Sequence, residues 1–283
     1  MPSEPELKVL KESLAKTSHE DYRGMKIWFI SPHNNKEVDT LGTYENDGDR
    51  ANKPHSCSGG CGHKPGKTPG GDLVLLPKSR QSLGGMSGLD GTILHELAHH
   101  EQGERYGHQD EWGGRKSGLA SRDIADQHGW TFSKRHGEHL LKGKDGGLWR
   151  FQESRDQWRW TGGKPPADGK RRLDSEDMKE RALVPPISDY FPNPQEHQAE
   201  ALTAFRSGVG EQPDDIDRKE LALKSPQLYK ITRDFDQNSI DLKFGRNSDG
   251  QPNFIRDLTG HLVPNTEESR SRVNIAERIW GLK

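Results

Sequence analysis

The chain has 283 residues, 29% hydrophobic and 30% charged, with a formal net charge of −2 and a mean hydropathy of −1.05. That is a thin apolar supply for this length, so one modest core with long polar excursions fits better than two full cores. The near-neutral balance gives no case for nucleic acid or an anionic membrane as partner, and no apolar run approaches the ~18 residues of a membrane span.

The N-terminus, Met1-Pro2-Ser3-Glu4-Pro5-Glu6-Leu7, is acidic and lacks the apolar segment of a secretory signal. The cytoplasm is therefore the default location, with export as an effector the other option. Residues 4–17 predict a short helix, with Leu7, Leu10 and Leu14 on one stripe. Met25–Ile30 predicts a strand, and residues 43–71, rich in Gly, Pro, Asn and Asp, a long loop. That loop holds the only two cysteines, in His55-Ser56-Cys57-Ser58-Gly59-Gly60-Cys61-Gly62-His63. His55, Cys57, Cys61 and His63 supply the four N/S donors a structural zinc wants. A Cys57–Cys61 disulfide and two free thiols are the other readings. Asp72–Leu76 predicts a second strand, ended by Pro77.

Next comes His95-Glu96-Leu97-Ala98-His99, with Asp90–Leu94 able to open a helix before it. Positions i and i+4 share a helical face, so both imidazoles can reach one metal ion, with Glu96 beside it to handle a water proton. Ile93, Leu94, Leu97 and Ala98 fill the opposite arc, which suits a helix with one side in a core and one facing a cleft. A catalytic zinc site also needs a third protein ligand and an open position for water.

Residues 118–142 predict helix in parts, and 143–173 carry Trp149, Phe151, Trp158 and Trp160 among many charges. Those aromatics read either as anchors of an insertion onto the body or as a substrate-gripping lid. A second ligand helix follows. Asn193 is an N-cap candidate, Pro194 suits the first turn, Glu196 and Glu200 share a face, and Ala199, Ala201, Leu202 and Phe205 lie behind them. Glu196 would bind zinc, and Glu200 would accept the free ring N–H of a ligating histidine. Residues 245–253 predict a turn-rich link, and the last thirty residues a strand or hairpin and a short helix ending at Trp280. There is no internal repeat.

A helix with H-E-x-x-H followed by a helix with E-x-x-x-E resembles the gluzincin metallopeptidases. The run Glu196-His197-Gln198-Ala199-Glu200-Ala201-Leu202 is similar to the E-F-F-A-E-A-F run of the anthrax lethal factor catalytic domain and its relatives, the Pro-Pro endopeptidases among them. The resemblance covers roughly residues 72–104 and 186–238. It implies Glu196 as third zinc ligand, Glu200 as supporting carboxylate and a tyrosine assisting at the oxyanion. Tyr190 stands in that neighbourhood, one position off the family's offset. Ser225–Ile231 is similar to the helix that closes such domains. A metzincin pattern is excluded, because Gln102 occupies its glycine position and Arg105 its third histidine position.

The resemblance implies an α+β, zincin-like fold: a small sheet on an active-site helix, a mainly helical C-terminal part, and an insertion at about 105–185. The expected division is 1–71, an N-terminal helix, strand and loop; 72–240, the catalytic domain; and 241–283, a C-terminal extension. The expected function is a zinc endopeptidase acting on a protein or peptide substrate, with one catalytic Zn2+, Glu96 as general base and Tyr190 as oxyanion donor. Two other classes fit the sequence: a zincin scaffold used for binding or sensing without proteolysis, and an interaction protein in which the H-E-x-x-H is accidental.

Overall fold

A computed structural model describes residues 2–17, 25–29, 42–46, 71–75, 88–106, 125–134, 137–209 and 216–282. The His55/Cys57/Cys61/His63 cluster lies outside the described residues.

Helix α1 (Glu4–Ala15) starts where the Ser3 backbone N–H and hydroxyl both donate to Glu6, with Pro5 in the first turn. Strands β1 (Lys26–Phe29), β2 (Gly42–Asn46) and β3 (Gly71–Leu75) form a sheet in the order β1-β3-β2. β3 runs parallel to β1 and antiparallel to β2. Ile27 pairs with Leu73 and Phe29 with Leu75, so these four side chains share one face. That face, with Leu10 and Leu14 of α1, packs on Ile93 and Leu97 of helix α2 (Gly88–Tyr106).

One expectation changes here. Residues 43–46 belong to a strand rather than to the long loop, because Thr43 and Tyr44 pair with Val74 and Leu73. β3 is the central strand of the described sheet, hydrogen-bonded on both edges. The sheet also straddles the expected boundary at 71/72, since β1 and β2 precede it.

The described part of the expected insertion is built on a second sheet. After a helical turn at 125–127 come β4 (Trp130–Ser133), β5 (Glu138–Lys142), β6 (Gly147–Gln152), β7 (Gln157–Gly163) and β8 (Arg172–Leu173), all antiparallel in sequence order. Of the described residues in 118–142, expected to be helical in parts, 125–127 form a helical turn and most of the others are strand. Trp130 pairs with Leu141, Leu141 with Trp149, and Trp158 with Leu173, which lines one face with large apolar groups. Those groups form a core with Met178 of helix α3 (Ser175–Arg181) and with Phe191. Trp149 and Trp158 are fully buried, while Phe151 and Trp160 pack at the margin. The aromatics therefore hold the insertion together and do not line an open lid.

The rest is helical. Helix α4 (Pro194–Ser207) is capped by Asn193, whose side chain accepts from the Glu196 N–H at 2.9 Å. Helices α5 (Arg218–Lys224) and α6 (Pro226–Phe244) pack against it through Phe205, Leu221, Leu228 and Tyr229. A hairpin of β9 (Phe254–Arg256) and β10 (Leu262–Pro264), then helix α7 (Glu267–Ile279), complete the described chain. Gly208 (φ 81°) ends α4 against this hairpin: a Cβ there would lie 2.5 Å from the Thr259 backbone, so only glycine fits. The architecture is α+β, and no helix among the described residues is long and apolar enough to cross a membrane.

Candidate metal centre

Two helices distant in sequence meet through small side chains. Ala98 of α2 and Ala199 of α4 are buried together with Leu202 and Phe235, and residues this small let helix axes approach closely. The contact brings the polar stripe of α2 to the polar stripe of α4.

At the meeting point three donor atoms form a near-equilateral triangle. His95 Nε2 lies 3.0 Å from Glu196 Oε2 and 3.0 Å from His99 Nε2, which lies 3.1 Å from Glu196 Oε2. A tetrahedral ion with bonds of about 2.0–2.1 Å has ligand–ligand edges of about 3.3 Å, so the triangle is close to one face of such a site. Among the described residues, His95, His99 and Glu196 are the one group of three or more His, Cys, Asp or Glu side chains close enough to hold a metal.

The other ring nitrogens decide what the triangle presents. His95 Nδ1 is 2.8 Å from Glu200 Oε1, and His99 Nδ1 is 3.0 Å from Gln102 Oε1. Both partners accept, so each ring in its neutral form carries its proton on Nδ1 and turns a bare Nε2 lone pair inward. Two lone pairs and a carboxylate oxygen then face one another at about 3 Å, an arrangement that only positive charge relieves. The residues present therefore fit a divalent cation.

The electrostatics agree. Burial alone would push both imidazoles toward the neutral form. For His95 the hydrogen bonds and charges of Glu196 and Glu200 outweigh burial and raise its pKa well above the usual value. For His99 the charge and hydrogen bond of Glu196 do the same, to about 9. Burial would raise Glu196, yet the charge of His99 and the hydrogen bonds from both rings hold it well below the usual carboxylate range. All three shifts run in the direction of a pocket that favours positive charge beside a carboxylate.

Glu96 is buried on α2, close enough to His99 and Tyr190 to act on both electrostatically. Tyr190 is 57% exposed, its ring centroid 6.4 Å from that of His95. Its hydroxyl makes no hydrogen bond among the described residues. The charge of Glu196, then burial, then the charges of Glu200 and Glu96 raise its pKa, so the phenol keeps its proton and stays a donor. Its neighbour Phe191 is the buried one, stacked on Trp158 at 5.0 Å. His197, next to Glu196, points away from the triangle and accepts from Trp130 Nε1 at 3.1 Å. Gln102, adjacent to His99 in space, was not among the expected site residues. No family model, no curated protein and no solved structure matches the chain.

Proposed function

We propose that the chain is a zinc-dependent endopeptidase with a zincin-like fold, resembling the gluzincins of the lethal factor catalytic domain and Pro-Pro endopeptidase group. One observation carries the reading: two imidazoles with inward Nε2 lone pairs and one carboxylate oxygen, on two helices, make a three-ligand face with Glu96 beside it. His95, His99 and Glu196 would hold the ion, and Glu200 fixes the His95 ring. When bound, zinc supplies a Lewis acid for the scissile carbonyl and lowers the pKa of a water toward about 7. Glu96 takes the proton of the attacking water and passes it to the leaving amine. Tyr190, protonated and exposed beside His95, donates to the carbonyl oxygen as negative charge develops there.

The test pairs metal analysis of the purified protein with cleavage of a peptide library. The expected result is one tightly held zinc, lost in His95→Ala, His99→Ala and Glu196→Ala. Glu96→Gln should keep zinc and fold but lose hydrolysis, because an amide is no base. Near-normal turnover by zinc-loaded Glu96→Gln would remove the assigned role. Zinc bound without cleavage of any peptide would point to a binding module, and absence of stoichiometric metal to an accidental motif.

A further inference from the structure

Gln102 lies one helical turn beyond His99, on α2, and is buried. Its amide orientation is fixed from outside. Nε2 is 2.9 Å from the backbone carbonyl of Gln195, an atom that can only accept, and 3.0 Å from Gln198 Oε1. The amide NH2 is thereby committed to α4, and Oε1 is left facing His99 Nδ1 at 3.0 Å. Gln195 and Gln198 flank Glu196 on the same helix. One side chain therefore touches a histidine of one helix and grips the turn of the other helix that carries the carboxylate.

We propose that Gln102 is a positioning residue of the metal centre, setting the tautomer of His99 through its Oε1, while its amide NH2 ties α2 to α4 and contributes to stability. This rests on the zinc reading given above. Gln102 does for His99 what Glu200 does for His95, with a neutral acceptor in place of a charged one. The working motif then becomes H-E-x-x-H-x-x-Q on α2, meeting Q-E-x-Q-x-E on α4.

Two variants separate its two functions. Gln102→Leu removes both acceptor and donor. Gln102→Glu keeps an acceptor for His99 Nδ1–H but has no N–H for the Gln195 carbonyl or Gln198. Zinc affinity is measured by chelator competition, and thermal stability on the metal-free protein. Both variants should melt below wild type when metal-free. Gln102→Leu should bind zinc about 10–100-fold more weakly, while Gln102→Glu binds at least as tightly as wild type. A merely structural glutamine cannot produce that split, since zinc affinity would follow stability in both variants. Equal zinc loss in the two, or no loss in either, overturns the proposal. Should Gln102→Leu fail to fold, a tenfold loss of zinc affinity in Gln102→Glu alone overturns it. A wild-type protein that holds no zinc removes the endopeptidase reading itself, and this proposal with it.

Discussion

Tyr190 and Glu200 act on the same centre from different distances, and their loss should be felt differently. Tyr190→Phe keeps the ring and removes the donor that the proposed mechanism aims at charge developing only during reaction. The expected outcome is a fall in kcat of about 10²–10³ with KM little changed and zinc retained. Steady-state kinetics on a cleaved library peptide checks it, and unchanged kcat would return Tyr190 to a surface role. Glu200→Ala leaves the His95 Nδ1–H without its acceptor. Zinc affinity should fall about 10–100-fold, read by chelator competition. The i,i+4 spacing of His95/His99 and of Glu196/Glu200 is visible in the sequence, because helical periodicity alone puts each pair on one face. Gln102 was not legible in that way. Its role depends on a backbone carbonyl 93 positions on, which no side-chain pattern records.

At the scale of elements, the docking of α2 on α4 rests on buried charge as well as on alanines. Arg206 of α4 donates through Nε to Asp236 of α6 at 2.8 Å and pairs with Glu101 of α2, while Arg256 of β9 holds the other oxygen of Asp236 at 2.7 Å. Arg206→Ala would leave two carboxylates buried with one guanidinium, at a cost of about 3–5 kcal/mol in denaturant unfolding. The cluster also fixes an acid limit. Burial would raise the Asp236 carboxyl, but the charges and hydrogen bonds of Arg256 and Arg206 outweigh it and bring the pKa to about 2. Because the folded value lies below the ordinary one, this contribution is complete above about pH 4 and lost as pH falls toward 2. A melting-temperature series between pH 5 and 2 should show the loss, and Asp236→Asn should flatten it. Helices with caps were readable in advance: Asn193, Pro194 and the apolar run behind Glu196 define α4. The second sheet was less so, although Trp149-Arg150-Phe151-Gln152 and Trp158-Arg159-Trp160-Thr161 alternate with a period of two. Its hairpin turns on a short 3-10 helix and on Asp156 at φ 47°, not on an Asn-Gly pair, so the usual hairpin signal is missing.

For the whole molecule, the insertion is a layer that backs the ligand helix. Its core includes Phe191, just before α4, and its first strand donates through Trp130 to His197, one residue past Glu196. The described part of the long gap between His99 and Glu196 is thus largely an element that braces the helix carrying Glu196. A bound ion would tie α2 to α4 across that gap. Metal that binds the folded state and not the unfolded one should stabilise by about 4 kcal/mol at a thousandfold excess over its dissociation constant. Scanning calorimetry with and without EDTA should show the metal-free protein melting lower, and the shift should vanish in His99→Ala.

The same separation sets a clock. Glu196 lies 97 residues beyond His99. At about 5–20 residues per second of synthesis, the carboxylate leaves the ribosome roughly 5–20 s after the second histidine. Through that interval the nascent chain carries His95, Glu96 and His99 but not the third donor of the proposed centre. On the proposed reading the centre is incomplete at birth, and hydrolysis would begin only after α4 has emerged and docked.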